Sequence, residues 1–236
     1  MDITMAFQPI VDIRTGSIFA YEALVRGIEG QSAGTVLAAV GPDMIYKFDQ
    51  TCRVKAIELA GRLFAPADNA KLSINFMPNA VYEPNACIRA SLAAARRVGF
   101  DPAKLMFEFT EDERMCDVPH VRRIIESYRA RGFTTAIDDF GAGYAGLGLL
   151  AELEPDILKL DMALIRGIEA SAARRTIVAS VVSMAKALGI QCIAEGIETA
   201  AELDVLQEIG IKLCQGYYLA QPAIETLPNV ELPLLV

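Results

Sequence analysis

The 236-residue sequence predicts an α/β fold, a TIM-like (β/α)8 barrel with one antiparallel strand near the N-terminus. Two observations carry that prediction. A helix-like stretch closes four times on glycine plus an apolar residue, at Gly99-Phe100, Gly132-Phe133, Gly189-Ile190 and Gly210-Ile211, and a strand-like run follows each time. Glycine suits the left-handed position just past a helix C-terminus. The strand-like runs total about eight, the number that closes a barrel filled by its own side chains. A chain of about 250 residues is usual for that barrel, although the length also allows a Rossmann-like domain with embellishments.

Residues 3–10 and 18–26 read as strands separated by a turn at Thr15-Gly16. That turn is too short for the crossover that parallel strands require, so the first two strands run antiparallel. Segment 27–42 reads as a loop with a short helix. Further strands are expected at 71–75, 105–109, 134–138, 156–160, 191–194 and 212–215, with helical patterning between them, which sustains the βα alternation. No Pro/Gly/Ser-rich linker or charge block divides the chain, so residues 1–236 are expected to form one domain with no room for a sensor segment.

Hydrophobic residues make up 53% of the chain, enough for a large core and too many for intrinsic disorder. The net charge of −8 argues against a grip on a nucleic-acid polymer, which needs clustered basic surface. A phosphate-bearing substrate at an acidic pocket calls for bound cations, which reverse the local sign. The five cysteines, Cys52, Cys87, Cys116, Cys192 and Cys214, are an odd set without a CxxC pair, and read as reduced core residues of a cytoplasmic protein. There is no basic leader at the start, and no uncharged apolar run approaches the roughly 18 residues of a spanning helix, so membrane insertion by this chain is not expected.

The polar residues that end the strands carry the chemistry: Glu22, Asn75, Glu108, Asp138 with Asp139, Lys159 with Asp161, Glu195 and Gln215. In a barrel of this class, residues at the C-terminal ends of different strands share one mouth. Several carboxylates and one amide, with no thiol or imidazole, suit Mg²⁺ or Mn²⁺ better than Zn²⁺. The single histidine, His120, lies in a helical stretch and reads as an ordinary helix residue, which removes a Ser/His/Asp triad. The Asp138-Asp139 pair fits a bridge between two ions about 3.5–4 Å apart, and seen alone fits equally a cap on the next helix. Lys159 and Asp161 share one face of a strand, as do Glu22, Leu24 and Arg26. A lysine at an interior strand position needs carboxylate partners, which the other strand ends supply. The planar fork of Arg26 suits a phosphate or a guanine edge.

Residues 141–146 also fit GxGxxG after a strand, with Asp161 about twenty residues on, as in a dinucleotide fingerprint. Asp138 and Asp139 directly before it would repel a pyrophosphate, and the fingerprint normally belongs to the first βαβ unit.

Together these segments resemble the EAL-domain family of cyclic di-GMP phosphodiesterases. The resemblance rests on Glu22-Ala23-Leu24 followed by Arg26, on Gln8-Pro9-Ile10, Asn75, Glu108-Phe109-Thr110-Glu111 and Asp138-Asp139-Phe140-Gly141-Ala142-Gly143-Tyr144. It rests further on Lys159-Leu160-Asp161, Ala194-Glu195-Gly196-Ile197-Glu198-Thr199 and Gln215-Gly216-Tyr217. It implies metal-dependent hydrolysis of cyclic di-GMP to linear pGpG by a water between two Mg²⁺ or Mn²⁺ ions, with Ca²⁺ inhibitory. By the same resemblance, Glu22, Asn75, Glu108 and Asp138 hold one ion, and Asp138, Asp139 and Glu195 the other. Lys159 orients the water, with Glu22 and Glu195 also catalytic and Gln215 supporting metal and water. Gln8, Leu24, Arg26, Asp161, Glu198 and Tyr217 contact substrate, and Glu111 anchors the loop 140–147. A homodimer is implied, with sensor or cyclase domains as companions if the chain is a fragment. The alternative is a catalytically silent relative that binds cyclic di-GMP as a signalling module, although every metal and lysine position is filled here. Phe109, Ala145 and Gln221 depart from the family pattern, at positions where a smaller apolar residue, serine and lysine are common.

Overall fold

The computed structural model describes residues 2–65, 67–77, 84–110, 118–142 and 147–230. Seven strands follow one another in parallel: β2 (Ser17–Gly27), β3 (Lys71–Phe76), β4 (Leu105–Thr110), β5 (Thr134–Phe140), β6 (Ile157–Leu160), β7 (Gln191–Ala194) and β8 (Leu213–Cys214). β1 (Ile3–Asp12) closes the ring, antiparallel to both β2 and β8, with Gln8 opposite Glu22. The barrel is therefore eight-stranded with one reversed strand, as the sequence predicts. A ninth strand, β9 (Ala223–Ile224), pairs with β1 at Ala6 and Phe7 outside the ring. The sequence gives no sign of it, because two residues carry no periodicity.

The helices are α1 (Ala33–Ala38), α2 (Ile45–Leu63), α3 (Pro84–Val98), α4 (Val118–Arg129), α5 (Leu147–Leu153), α6 (Met162–Ile165), α7 (Ala172–Ala187) and α8 (Ala200–Ile209). α1 is the short helix expected in segment 27–42, capped by Ser32, whose side chain accepts from the Thr35 N–H. The four predicted glycine stops all adopt left-handed φ, at 68°, 80°, 76° and 96° for Gly99, Gly132, Gly189 and Gly210. After each, the apolar residue donates its N–H to the carbonyl five residues back: Phe100 to Ala95, Phe133 to Tyr128, Ile190 to Ala185 and Ile211 to Leu206. This is the Schellman closure, and it satisfies last-turn carbonyls while burying the apolar residue that leads toward the next strand.

Two separate apolar clusters form. The larger lies between the strands and the helices. Within it Phe76, Phe107, Phe109, Tyr128 and Phe133 pack mostly edge-on, with Phe109 5.3 Å from Phe76. Phe109 thus faces the helices, because it neighbours the inward Glu108 and successive strand residues point to opposite faces. The smaller cluster, Ile10, Ala20, Met106, Ala136, Ile157, Ile193 and Leu213, fills the barrel interior. It is a plug that closes the lower barrel to solvent.

Three cysteines, Cys52, Cys192 and Cys214, are free and at least half-buried. Burial pushes the Cys52 thiol up to about 12, with Asp49 adding to it, and Cys192 up to about 11. Neither is a nucleophile at neutral pH. Among the described residues no helix is long and apolar enough to cross a membrane.

Candidate active site

Inward-facing residues recur every second position along a strand, so each plug residue specifies what stands one layer above it. Two residues beyond Ala20, Met106, Ala136, Ile157, Ile193 and Leu213 stand Glu22, Glu108, Asp138, Lys159, Glu195 and Gln215. On the reversed strand the step runs backwards, from Ile10 to Gln8. β3 contributes Ser73 and then Asn75. A complete polar layer therefore sits on a lower one that is apolar on every strand but β3, at the C-terminal ends of the parallel strands.

Lys159 is the hub of that layer and is fully buried. Its Nζ lies 2.7 Å from Glu195 Oε1, 2.9 Å from Glu108 Oε2, 2.9 Å from Asp138 Oδ1 and 3.8 Å from Glu22 Oε2. Glu22 is held in turn by amides: Asn75 Nδ2 donates to its Oε1 at 3.1 Å, and Gln215 Nε2 donates to its Oε2 at 2.6 Å. Gln215 also reaches Gln8 Oε1 at 3.2 Å.

Asp139 joins through a bulge. Ile137 pairs with Leu158 and Phe140 with Leu160, so Asp138 and Asp139 together stand opposite Lys159 alone. Asp139 takes φ of 56°, in the left-handed region, and its N–H donates to Asp138 Oδ1 at 2.9 Å. Aspartate tolerates that region better than most residues, and a bulge of this kind re-aims side chains that a regular strand would send to opposite faces. Both carboxylates thereby serve the mouth, the arrangement for which the sequence left a helix cap as the other reading.

Burial opposes the charge so collected. It pushes the Glu108 carboxyl up to about 8; Lys159 offsets part of this, while Glu22 and Asp138 add to it. Burial raises Glu195 as well, with Asp138 reinforcing it. For Lys159, burial alone would depress the ammonium, but Asp138, Glu108, Glu195 and Glu22 outweigh it and hold it well above its ordinary value. Carboxylate oxygens of Glu22, Glu108 and Asp138 lie within 4.8 Å of one another, and so do those of Asp138, Asp139 and Glu195. Glu108 Oε1 is buried without a well-formed hydrogen bond, although the Ser73 hydroxyl favours its ionised form. Two overlapping groups of hard oxygens, sharing Asp138 and carrying a spare buried acceptor, fit a pair of divalent cations.

Over residues 1–222 the sequence matches the EAL domain family. This chain belongs to the EAL family. Its barrel superposes with a TM-score of 0.92 on a standalone versatile EAL protein of Vibrio cholerae O395 in its c-di-GMP-bound form, 53% identical over 98% of this chain and 96% of that one. BlrP1 of Klebsiella pneumoniae, in a manganese and cyclic di-GMP complex, is 35% identical with a TM-score of 0.89, over 95% of this chain and 57% of that one. Another of its structures holds calcium and cyclic di-GMP. The cyclic di-GMP phosphodiesterase NbdA of Pseudomonas aeruginosa is 30% identical over 93% of this chain. The blue light- and temperature-regulated antirepressor BluF of Escherichia coli is 31% identical over 97% of it. The chain spans 29% and 56% of the length of those last two relatives.

Above the acidic layer the EAL mouth opens into a cavity of about 250 Å³, lined by Gln8, Leu24, Asp161, Glu198 and Tyr217 among others. The Gln8 amide is anchored to the Ala220 carbonyl. Asp161 caps α6, its Oδ1 accepting the Ala163 N–H at 2.8 Å. Tyr217 is exposed beside Gly216, where a Cβ would fall 2.1 Å from the Ile197 carbonyl oxygen, so only glycine fits. Arg26 stands outside this cavity, half-buried, with Nη1 on the Val25 carbonyl. His120 lies on α4, its Nδ1 3.4 Å from Arg123. Glu111 and residues 143–146 lie outside the described residues.

Two side chains at the mouth escaped the sequence reading. Arg166 binds both carboxylate oxygens of Glu198, and nothing in the sequence around it marks that role. Glu202 accepts the N–H groups of Glu198, Thr199 and Gly167. The Thr199-x-x-Glu202 spacing of a capping box signals this second residue.

Proposed function

We propose that this EAL domain hydrolyses cyclic di-GMP to linear 5′-pGpG. The observation that carries the reading is the charge imbalance in the polar layer: Glu22, Glu108, Asp138, Asp139 and Glu195 surround the single ammonium of Lys159. Such an excess of buried carboxylate costs stability unless cations neutralise it, so the layer is built for ions and not for strength. Glu22, Asn75, Glu108 and Asp138 would hold one ion, and Asp138, Asp139 and Glu195 a second. Ions there supply a water acidified toward neutrality and positive charge for the phosphoryl oxygens.

The remaining work falls to the chain. Lys159 Nζ spends its three N–H bonds on Glu108, Asp138 and Glu195, and one of them, released when these carboxylates turn to bound ions, would donate to the attacking water and so fix its direction. Glu195, at the open edge of the layer, is placed to take the proton that the water loses. Gln215 and Asn75 keep the Glu22 carboxylate oriented. Gln8, Leu24, Asp161, Glu198 and Tyr217, which line the cavity, form the substrate contacts, and Arg26, outside it, would have to leave the Val25 carbonyl to join them. Attack on one of the two phosphodiesters opens the ring, leaving a 5′-phosphate and a free 3′-hydroxyl. The same reading makes Mg²⁺ or Mn²⁺ the activating ion, Ca²⁺ an inhibitor, a homodimer the assembly and the cytoplasm the compartment.

Purified protein with Mg²⁺ or Mn²⁺ is expected to convert cyclic di-GMP to pGpG, identified by chromatography of the product. The second reading is a catalytically silent module that binds cyclic di-GMP; what speaks for a non-enzymatic role is only that one relative is named as an antirepressor. Stoichiometric binding without product, in either metal, establishes that reading and refutes hydrolysis.

A further inference from the structure

The rim of the mouth is acidic on nearly every side. Among the described residues lining the cavity, Glu22, Asp139, Asp161, Glu195 and Glu198 carry carboxylates, and Arg166 is the only cation. Three of the five N–H bonds of its fork are engaged: Nη1 donates to Glu198 Oε2 at 2.6 Å, Nη2 to Glu198 Oε1 at 2.5 Å, and Nε to the Gly196 carbonyl at 3.0 Å. Arg166 follows β6 and Glu198 follows β7, so this one side chain ties together two loops that flank the substrate path. The Glu198 main chain is held independently, through its N–H on Glu202 Oε2. Its carboxylate has a different dependence, because Arg166 is the partner that orients it.

We infer that Arg166 is a positioning residue that sets substrate affinity through Glu198, by fixing the direction of that carboxylate and cancelling its charge where a dianionic substrate enters. This rests on the function proposed above. Planar bidentate pairing is the geometry in which a guanidinium both orients and neutralises a carboxylate, which the point charge of a lysine does not reproduce. The chemical step should depend on Arg166 much less. Glu195 is kept in place by its own backbone, its N–H on the Leu160 carbonyl at 3.1 Å, and the loop by Ile197 N–H on the Gln215 carbonyl at 3.2 Å. The pair is also about 40% exposed on each side, so it contributes little to folding.

A double-mutant cycle on KM tests the inference in the metal-loaded protein. Arg166→Ala should raise KM for cyclic di-GMP about tenfold, mainly at low salt, with the effect falling on KM and not on kcat. Arg166→Lys should recover part of the loss. In a Glu198→Gln background, which removes the charge and one of the two acceptor oxygens, Arg166→Ala should change KM by less than about twofold. An undiminished tenfold effect in that background would mean that Arg166 touches the substrate itself, and would overturn the inference. So would an unchanged KM in the single variant, or a loss of kcat that tracks a fall in unfolding temperature. Absence of turnover in the unsubstituted protein strikes the proposed function instead, which keeps the two failures apart.

Discussion

The barrel interior holds two layers that differ by one step of the strand and by opposite physical purposes. The lower layer, Ile10, Ala20, Met106, Ala136, Ile157, Ile193 and Leu213, gains stability from every residue it buries. The upper layer, built from the same strands two residues on, buries Glu22, Glu108, Asp138 and Lys159 against their preference for water. One layer holds the barrel together, and the other is tolerated because the first does so. The difference teaches that strand alternation lets a barrel separate its fold from its site without separating them in sequence, and it can be broken by substitutions confined to one layer.

The largest effect is expected at the hub. Lys159→Ala leaves Glu22, Glu108, Asp138 and Glu195 facing one another without their cation. Metal-free protein should lose about 3–5 kcal/mol of stability, the usual consequence of removing one partner from a buried ion pair. Turnover should fall about 10³-fold or more, the scale of a lost proton-positioning group. Mg²⁺ should restore the stability and leave the turnover low, read by urea unfolding and product formation with and without the ion. A variant that is active, or as stable as the parent without metal, would refute the hub.

In the lower layer the expected pattern reverses. Met106 is fully buried in the plug, and Met106→Ala opens a cavity that costs about 2–5 kcal/mol. The folded fraction should keep its kcat within a few-fold, because Glu108 one layer above retains Lys159. A variant that unfolds normally but has lost kcat would show that the layers are not separable.

Much of this arrangement is legible in the sequence because it follows from period-two alternation. Glu22, Glu108, Asp138, Lys159, Glu195 and Gln215 can each be placed at a strand end by pattern, and barrel closure then brings them together. The four Gly-apolar pairs are legible for a similar reason, since one local motif both ends a helix and starts the route to a strand. What escapes depends on backbone geometry or on chance encounters between loops. Asp139 reaches the mouth only because a bulge puts it at a positive φ, and the sequence allowed a helix cap as readily. Arg166 meets Glu198 across thirty-two residues with no pattern to announce it. β9 is two residues long, too short for any alternation.

Acidity separates the layers next. In the metal-free protein Glu108 sits at about 8 against an ordinary 4.5, so the folded state holds a proton that the unfolded chain releases between those values. Stability of the metal-free protein should therefore be greatest below about pH 4.5 as far as this group is concerned, and decline as pH rises toward about 8. Divalent ions must displace that proton, so binding of Mg²⁺ near pH 7 should release protons into weak buffer, and the apparent affinity should climb with pH until about 8. Glu108→Gln should flatten both trends, because the titrating carboxyl is gone. Metal binding with no proton release at pH 7 would mean that the carboxyl is already ionised.

The smallest effect lies away from both layers and serves as their control. Thr199 caps α8: its side chain accepts the Glu202 N–H at 3.2 Å, and Glu202 Oε2 accepts the Thr199 N–H at 3.0 Å. Burial by itself would raise the Glu202 carboxyl, but the N–H groups of Glu198, Gly167 and Thr199 lower it further than burial lifts it. Thr199→Ala removes half of this reciprocal pair and should cost about 1 kcal/mol, the ordinary worth of a threonine cap. The cost should be the same with and without Mg²⁺, because no group that faces the acidic layer has changed its charge. Stability lost at Lys159 should vanish when ions bind, and stability lost at Thr199 should not. Equal metal dependence in the two variants would show that Mg²⁺ stabilises the whole barrel and not the upper layer, and would remove the physical ground for treating that layer as an ion site.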